Sequence, residues 1–354
     1  MVPKFIKRLY EPRYMVREHL KLGDIPGTKE VFSTAFSVAW ASIAESFLIS
    51  LISMADTVMV STVGEQAIAA VGLVTQPRFI VQTLVLALNV AVTSICARRK
   101  GEGDAYSAAS CLKQGLILTA IFSVVLPLAT IPFAQPLLRF AGAQDDTIVM
   151  ATDYFLVLLA GMPFCNISLT ISAAQRGIGN TRASMRINMI SNIVNLVFNY
   201  LLIGGNFGFP RLGVKGAAIA TVLGWIVGLV MALLSVSNKS HFLFIYSRDG
   251  WKFQKSTLSS MYKVASGSFF EQICMRAGFM TTTKIIAGLG TMMLAAHQIL
   301  ANLLNLSFAF GEGYGVASSS LVGQSLGAKR SDMSIVYGKA CQRMSIITST
   351  FIFI

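Results

Sequence analysis

Long apolar runs recur along the whole chain, and they constrain its fold more than any other feature. Nine of them lie near residues 32–61, 67–97, 108–131, 147–174, 184–205, 213–237, 258–288, 292–322 and 335–354. Each is long enough to cross the ~30 Å hydrocarbon core of a bilayer as a helix, and helices satisfy their backbone hydrogen bonds internally. We therefore expect an all-α polytopic membrane protein with about nine helices in this chain.

The composition supports a membrane protein. The chain is 54% hydrophobic and 13% charged, whereas soluble domains carry about 25% charged residues. A net charge of +13 would suggest nucleic-acid binding in a soluble protein, but cytoplasmic loops of membrane proteins collect Lys and Arg. We expect membrane lipid around the chain, no nucleic acid and no cofactor. The five cysteines form no CxxC or Cys/His cluster, so neither a zinc site nor a disulfide framework is indicated.

The basic residues indicate the orientation. With the N-terminus inside, the predicted outer loops carry only Arg139, Arg211 and Lys215. The inner loops and the tail carry Lys4, Lys7, Arg8, Arg13, Arg17, Lys21, Lys29, Arg98, Arg99, Lys100, Arg176, Arg182, Arg186, Lys239, Arg248, Lys252, Lys255, Lys329, Arg330, Lys339 and Arg343. This asymmetry predicts a plasma (inner) membrane protein with a cytoplasmic N-terminus.

The sequence repeats itself at an offset of 226 residues. Glu45 then falls on Glu271, and Gly64 falls on Gly290. The offset also pairs Ala69, Ala70, Ala91, Ser94 and Gly101 with Ala295, Ala296, Ala317, Ser320 and Gly327. Both copies begin with a helix that starts inside, which predicts parallel repeats related by an axis along the membrane normal.

The repeat also defines the expected domains. We expect a cytoplasmic tail at 1–30, a six-helix first lobe at 31–238, a cytoplasmic linker at 239–257 and a partial second lobe at 258–354. Two full copies need more residues than the chain has. We therefore expect a truncated member of a 6 + 6 helix architecture; a natural nine-helix protein is the alternative.

Five motifs in order resemble the multidrug and toxic compound extrusion (MATE) family, of bacterial type. They are ADTVMVSTVGEQAIAAVGL, RGIGNTRASM, FGFPRLGVKGAAIAT, LGTMMLAAHQI and GYGVASSSLVGQSLGA, and the resemblance spans about residues 35–345. It implies two lobes around a cleft, alternating access driven by inward Na⁺ or H⁺, and export of organic cations, drugs or other amphiphiles. The expected partners are a small-molecule substrate and the coupling ion, and we expect a monomer.

Asp56 is the first candidate for ion coupling, because an acid inside a membrane helix usually faces a cavity or a partner. Glu45 lies eleven residues earlier, which at 100° per residue is 20° past three turns, so both acids share one helix face with Ser53. Such a stripe suits a cation or proton pathway. Alternatively, Asp56 caps the outer end of the helix and Glu45 pairs structurally.

A column of asparagines on the fifth helix is the second candidate. Asn188, Asn192, Asn195 and Asn199 lie one above another at helical spacing. The resemblance matches Asn195 and Asn199 to a polar pair near the first-helix aspartate, which implies a Na⁺ site with Asp56; structural hydrogen bonding between helices is the alternative. Thr221 on the sixth helix is an accessory candidate.

The remaining candidates lie around the expected cleft. The resemblance matches Glu271 to an acid linked to cation coupling in some members. For Arg276 and Lys284 on the same helix, we favour a structural ion pair with Glu312 over a role in lining the cleft.

Two further candidates are single residues. Arg78 is an intramembrane charge that could pair with Asp56 or Glu45, and His297 in the AAHQ motif is expected to be a hydrogen-bonded packing residue. The rival function is a lipid or glycolipid flippase of the wider superfamily, which the basic residues favour. We expect no enzyme, because no catalytic or nucleotide-binding motif is present.

Overall fold

The computed structural model describes residues 10–238, 241–246 and 251–353, and within these ranges it contains helices and no strand. The predicted basic positions Lys4, Lys7, Arg8, Lys239 and Arg248 and the terminal Ile354 lie outside the described residues. The α-helices are α1 Thr28–Ser61, α2 Glu65–Gly101, α3 Ala105–Thr130, α4 Ala134–Ala141, α5 Ile148–Gly177, α6 Thr181–Gly204, α7 Gly213–Ser235, α8 Lys255–Ala287, α9 Thr291–Gly327 and α10 Ser331–Phe353.

Each of the nine predicted apolar runs is a helix, so the all-α prediction is confirmed. Six spans among the described residues are long and apolar enough to cross a membrane: Thr28–Ser61, Glu65–Gly101, Ala105–Ala141, Ile148–Gly177, Thr181–Gly204 and Gly213–Ser235. The helix α9 is a seventh if its two halves, which meet at 46°, form one span. The helices α8 and α10 are long enough to cross a membrane but are not counted among the apolar spans.

Helix boundaries reproduce the sequence repeat. The helices α2 and α9 both have 37 residues, and each begins after a glycine with positive φ, 137° at Gly64 and 112° at Gly290. The turns that follow them also match, since Gly103 has φ 75° and Lys329, 226 residues later, has φ 59°. The turn conformation is therefore kept in the second copy even where a lysine replaces the glycine that suits it.

The repeat-related helices α2 and α9 cross at their last turns. A Cβ atom on Gly101 would overlap the backbone oxygen of Gln324, and a Cβ atom on Gly327 would overlap the backbone oxygen of Arg98. The two contacts are equivalent under the offset of 226, so the crossing is nearly symmetric. Only glycine permits this close approach of two helix backbones.

The helices α1 and α6 run parallel and in register, which positions the candidate site. Thr181 Oγ1 at the start of α6 donates to the backbone oxygen of Val38 at 3.0 Å. The same difference of 143 positions recurs in the contacts of Glu45 and of Asp56 with α6. The acid stripe of α1 therefore lies along the asparagine column of α6.

The segment before α1 is folded onto α10. Met15 and Val16 are buried against Val336 and Ala340. The backbone N–H of Leu22 donates to Asp332 Oδ2 at 3.1 Å. Much of the predicted tail thus packs against the second copy of the repeat.

Candidate functional site

Asp56 is the centre of a polar group inside the helix bundle. It lies near the end of α1, and the register of α1 and α6 places Asn199 opposite it. Asn199 Nδ2 donates a hydrogen bond to Asp56 Oδ1 at 2.7 Å. Asn199 is 1% exposed and Asn195, one turn earlier, is 6% exposed, so the carboxylate meets amides that water hardly reaches.

The Asn195 amide links this carboxylate to α7. With its NH₂ group turned toward α1, it donates to Asp56 Oδ2 at 3.1 Å and to Oδ1 at 3.3 Å. Its carbonyl oxygen then accepts from Thr221 Oγ1 at 3.2 Å and from the Thr221 backbone N–H at 3.1 Å. This orientation satisfies both ends of the Asn195 amide, so Asn195 of α6 links Asp56 of α1 to Thr221 of α7.

One oxygen atom beside Asp56 has no hydrogen-bond partner. Asn199 Oδ1 is buried and accepts no hydrogen bond from the described part of the chain. Buried polar atoms are almost always satisfied, so an orphaned acceptor calls for an explanation. Carboxylate, amide and hydroxyl oxygens are the ligands that hard cations prefer, and all three kinds meet here. A protonated carboxyl group would also offer this oxygen a donor.

Glu45 belongs to a different polar group. Its Oε1 atom accepts from Asn188 Nδ2 at 2.5 Å, from Ser184 Oγ at 3.1 Å and from Arg176 Nη1 at 3.4 Å. Eleven residues of helix separate it from Asp56, a rise of about 16 Å. The structure therefore places the two acids in separate clusters, and the ion pair with Arg176 favours the structural alternative for Glu45.

Asn192 and Ser53 take part in hydrogen bonds along their own helices. Asn192 Nδ2 donates to the backbone oxygen of Asn188 in its own helix at 2.8 Å. The backbone oxygen of Ser53 accepts from Thr57 Oγ1 at 3.0 Å. Neither contact joins Asp56 to the rest of the predicted stripe.

The predicted residues of the second copy do not reach Asp56. Glu271 is exposed on α8, and His297 is half-buried near the start of α9. The structure gives His297 no hydrogen bond within the ranges it describes, so the expectation of a hydrogen-bonded packing residue is not met.

The basic side chains do not form the predicted ion pairs. Arg78 pairs with neither Asp56 nor Glu45; its Cζ atom lies 4.9 Å from the ring centre of Phe79. Arg276 lies 4.3 Å from the same ring. The predicted structural pair of Arg276 with Glu312 was therefore wrong, because Arg276 of α8 and Arg78 of α2 both stack on the Phe79 ring of α2.

Lys284 also lacks the predicted partner. Its Nζ atom lies 4.4 Å from the ring centre of Phe140 in α4. The structure shows no ion pair between Lys284 and Glu312 within its described ranges, so this expectation was wrong as well. A short helix that hydropathy did not predict supplies the aromatic contact.

Sequence reasoning missed two neighbours of these clusters. Tyr154 on α5 lies close enough to Asp56, Arg78 and Thr221 to interact with each. Arg176, counted only as a cytoplasmic charge, turns back from the end of α5 to Glu45. No local pattern marks either residue, because their roles depend on how α5 packs against its neighbours.

A protein-family model matches most of the chain. The MatE model matches residues 41–201 and 268–354, which is well over half of the chain. The chain belongs to the MatE family. The resemblance based on the five motifs is thereby confirmed.

Two curated relatives illustrate the match. The chain is 29% identical over 316 residues to a probable multidrug resistance protein NorM of Thermotoga maritima, covering 88% of the chain and 66% of that protein. It is 31% identical over 180 residues to an FAD transporter of Shewanella oneidensis, covering 51% of the chain and 40% of that protein. The chain thus spans just under two thirds of the Thermotoga relative's length.

The fold matches a solved MATE structure. An outward-facing multidrug resistance MATE transporter of the MOP superfamily aligns with a TM-score of 0.80 at 22% identity, covering 91% of this chain and 71% of that one. The comparisons confirm the predicted MATE-like fold and a multi-pass membrane protein. The relatives are transporters, which confirms that the chain is not an enzyme.

Proposed function

We propose that the chain is a secondary transporter that exports amphiphilic small molecules by alternating access, driven by inward Na⁺ or H⁺. Its N-terminus faces the cytoplasm and Asp56 binds the coupling cation. The single observation that carries the proposal is the cluster in which the partly buried Asp56 meets the buried Asn195 and Asn199, one of whose amide oxygens is unsatisfied. Family membership supports transport, and the cluster supports the coupling.

The proposed coupling follows from the energetics of an acid in the membrane. An ionised carboxylate inside a membrane helix is costly: about 2.5–3.5 kcal/mol at the helix centre on insertion scales and less toward the end, where Asp56 lies. A bound Na⁺ or proton neutralises that charge and satisfies Asn199 Oδ1. The neutral cluster and the charged cluster therefore favour different degrees of contact with water, which is what a coupling site requires.

Either cation suits the cluster. For Na⁺, the ligands are a carboxylate oxygen of Asp56, the amide oxygens of Asn195 and Asn199, and Thr221 Oγ1 after rotation of the amides. For H⁺, the Asp56 carboxylate binds the proton, and the resulting carboxyl O–H donates a hydrogen bond to an amide oxygen. The amides are neutral at all relevant pH values, so Asp56 carries the charge change.

Gradient-driven efflux tests the proposal. Proteoliposomes loaded with an amphiphilic dye are given an inward Na⁺ gradient, an inward H⁺ gradient, or neither. Wild type is expected to export dye under at least one gradient, and Asp56→Asn is expected to lose that dependence. Asp153→Asn is the matched control, since Asp153 is a half-exposed carboxylate paired with Lys215 at 3.0 Å. Gradient-dependent efflux by Asp56→Asn at the wild-type rate would sink the proposal.

A lipid or glycolipid flippase is the second candidate, and the unpaired Arg78 and Arg276 favour it. The Shewanella relative is named for FAD, a molecule with a pyrophosphate, which is compatible with an anionic substrate here. Movement of a fluorescent anionic lipid between leaflets, dependent on the protein and on both arginines, would establish the flippase. Dye efflux without such movement would exclude it.

A further inference from the structure

Two guanidinium groups from different copies of the repeat lie on one aromatic ring. Arg78 belongs to α2, and Arg276 belongs to α8. Their Cζ atoms lie 4.9 Å and 4.3 Å from the ring centre of Phe79. The contact therefore concentrates positive charge where the first copy meets the second.

These two charges have no acidic counterpart in the described part of the chain. Arg78 and Arg276 take part in no ion pair there, and the side-chain hydrogen bond of Arg276 goes to the neutral amide of Gln272 at 3.3 Å. The Nε atom of each guanidinium is buried and has no hydrogen-bond partner. An uncompensated charge in an apolar bundle is costly, and such residues mark binding sites or pathways.

The surroundings suit an amphiphile rather than a bare ion. Phe79 lies between the two arginines, and the Trp225 ring of α7 lies 6.0 Å from Arg78 Cζ. Both arginine side chains are only half-buried, so a ligand can reach them. Aromatic walls accept an apolar body, while a guanidinium fork matches the two oxygens of a carboxylate or phosphate.

We propose that Arg78 and Arg276 together bind the carboxylate or phosphate group of an amphiphilic substrate, whose apolar part packs on Phe79 and Trp225. This subsite rests on the proposed transport function and names its substrate class. One anion held by both arginines contacts both copies of the repeat. It therefore binds best when α2 and α8 are close, which links substrate binding to the arrangement of the lobes.

Equilibrium binding to the purified full chain in a neutral detergent tests the subsite. The probes are dodecyl phosphate and dodecyltrimethylammonium, which share a tail and differ in the sign of their charge. Titration calorimetry gives the affinity, and fluorescence in a Trp40→Phe, Trp251→Phe background, where Trp225 is the remaining tryptophan, gives an independent local signal. The variants are Arg78→Gln, Arg276→Gln, Arg78→Lys and the control Arg182→Gln. Arg182 is an exposed arginine whose Cζ lies 5.8 Å from the ring centre of Trp40.

The proposal makes a defined set of expectations. Dodecyl phosphate binds wild type about tenfold or more tighter than dodecyltrimethylammonium, because charge-assisted hydrogen bonds form only with the anion. Each Gln substitution weakens dodecyl phosphate binding about tenfold. Arg78→Lys keeps the charge but loses the fork, so its affinity lies between those of Arg78→Gln and wild type. Arg182→Gln leaves the affinity unchanged. Equal affinity for the two probes, or unchanged anion binding in the Arg78→Gln, Arg276→Gln double variant, overturns the proposal.

Two further measurements keep the test decisive. Competition by soluble hexyl phosphate or by a short-chain phosphatidylglycerol supports the subsite and identifies a free amphiphile or a lipid headgroup as the source; competition by neither overturns it. Melting temperatures separate binding from folding, since neutralising two unpaired like charges should not destabilise the chain. A lower melting temperature with undiminished anion binding shows a structural role and overturns the proposal.

This test is independent of ion coupling. Binding in detergent needs no Na⁺ or H⁺ gradient, and Asp56→Asn should still bind dodecyl phosphate. If Asp56→Asn loses its gradient dependence while wild type shows no anion selectivity, the transport proposal stands and the subsite proposal fails. If wild type shows anion selectivity while its efflux depends on no gradient, the subsite proposal stands and the transport proposal fails.

Discussion

Removing Glu45 should destabilise the chain much more than it disturbs ion coupling. Glu45 is 7% exposed, and its Oε1 atom accepts from Asn188, Ser184 and Arg176. The substitution Glu45→Ala leaves the Arg176 guanidinium, whose side chain is 19% exposed, without a counter-charge. Breaking a buried pair from one side costs about 3–5 kcal/mol, and partial exposure of Arg176 places the expected loss near about 3 kcal/mol.

The substitution Glu45→Gln should lower the free energy of unfolding less than Glu45→Ala does. It keeps an oxygen acceptor for Asn188 and Ser184 and loses only the charge, so we expect a loss of about 1–2 kcal/mol. Combining Glu45→Ala with Arg176→Met should recover part of the loss, because no unpaired charge remains.

Unfolding of the purified chain in mild detergent measures these changes in free energy, with gradient-driven efflux measured on the same variants. Glu65→Gln, an exposed acid at the start of α2, is the matched control and should change the free energy by less than about 0.5 kcal/mol. The reasoning is refuted if Glu45→Ala unfolds like the control. It is also refuted if Glu45→Gln keeps wild-type stability yet loses its dependence on the gradient.

Three other substitutions test the repeat and its turns. Gly101→Ala should lower both stability and transport, because the new methyl group collides with the Gln324 backbone where α2 and α9 cross; Gly267→Ala, which meets no atom within 4 Å, should change the melting temperature little. Lys329→Gly should stabilise the chain by about 0.5–1 kcal/mol. Glycine adopts the left-handed conformation of residue 329 (φ 59°) without the steric strain of lysine, and this gain exceeds the extra conformational entropy of glycine in the unfolded chain. An unchanged or lower melting temperature would contradict this. Asp104→Ala should cost about 1 kcal/mol by removing the helix cap that accepts from the Ser107 N–H at 2.9 Å. Hydrogen bonds from Ser107 lower the pKa of Asp104, so the cap should stabilise the chain at neutral pH and weaken as acid protonates it; equal stability of wild type and Asp104→Ala at pH 7 would refute it.

The helices and the repeat could be predicted from the sequence because both are encoded locally. An apolar run long enough to cross a bilayer forms a helix whatever its neighbours are. Matching glycine and alanine residues revealed the repeat at an offset of 226, and the boundaries of α2 and α9 are related by the same offset. The short helix α4 escaped prediction because its eight residues are too few for a hydropathy signal of a membrane span.

The candidate site could be predicted only in part. The column of Asn195 and Asn199 follows from helical spacing, but its position beside Asp56 came from the family resemblance. The environment of Glu45 could not be predicted, because Arg176 comes from another helix. The surroundings of Arg78 were mispredicted: charge attraction suggested an acid, whereas the side chain lies on the rings of Phe79 in α2 and Trp225 in α7.

Direct cation binding tests the central claim, that Asp56 with Asn195 and Asn199 holds the coupling ion. The measurement is equilibrium uptake of radioactive Na⁺ by the purified chain, with proton release followed in parallel in weakly buffered solution. Wild type and Asp153→Asn should bind the cation, and Asp56→Asn should lose that binding or the matching proton exchange. Equal cation uptake and proton release by wild type and Asp56→Asn would contradict the account.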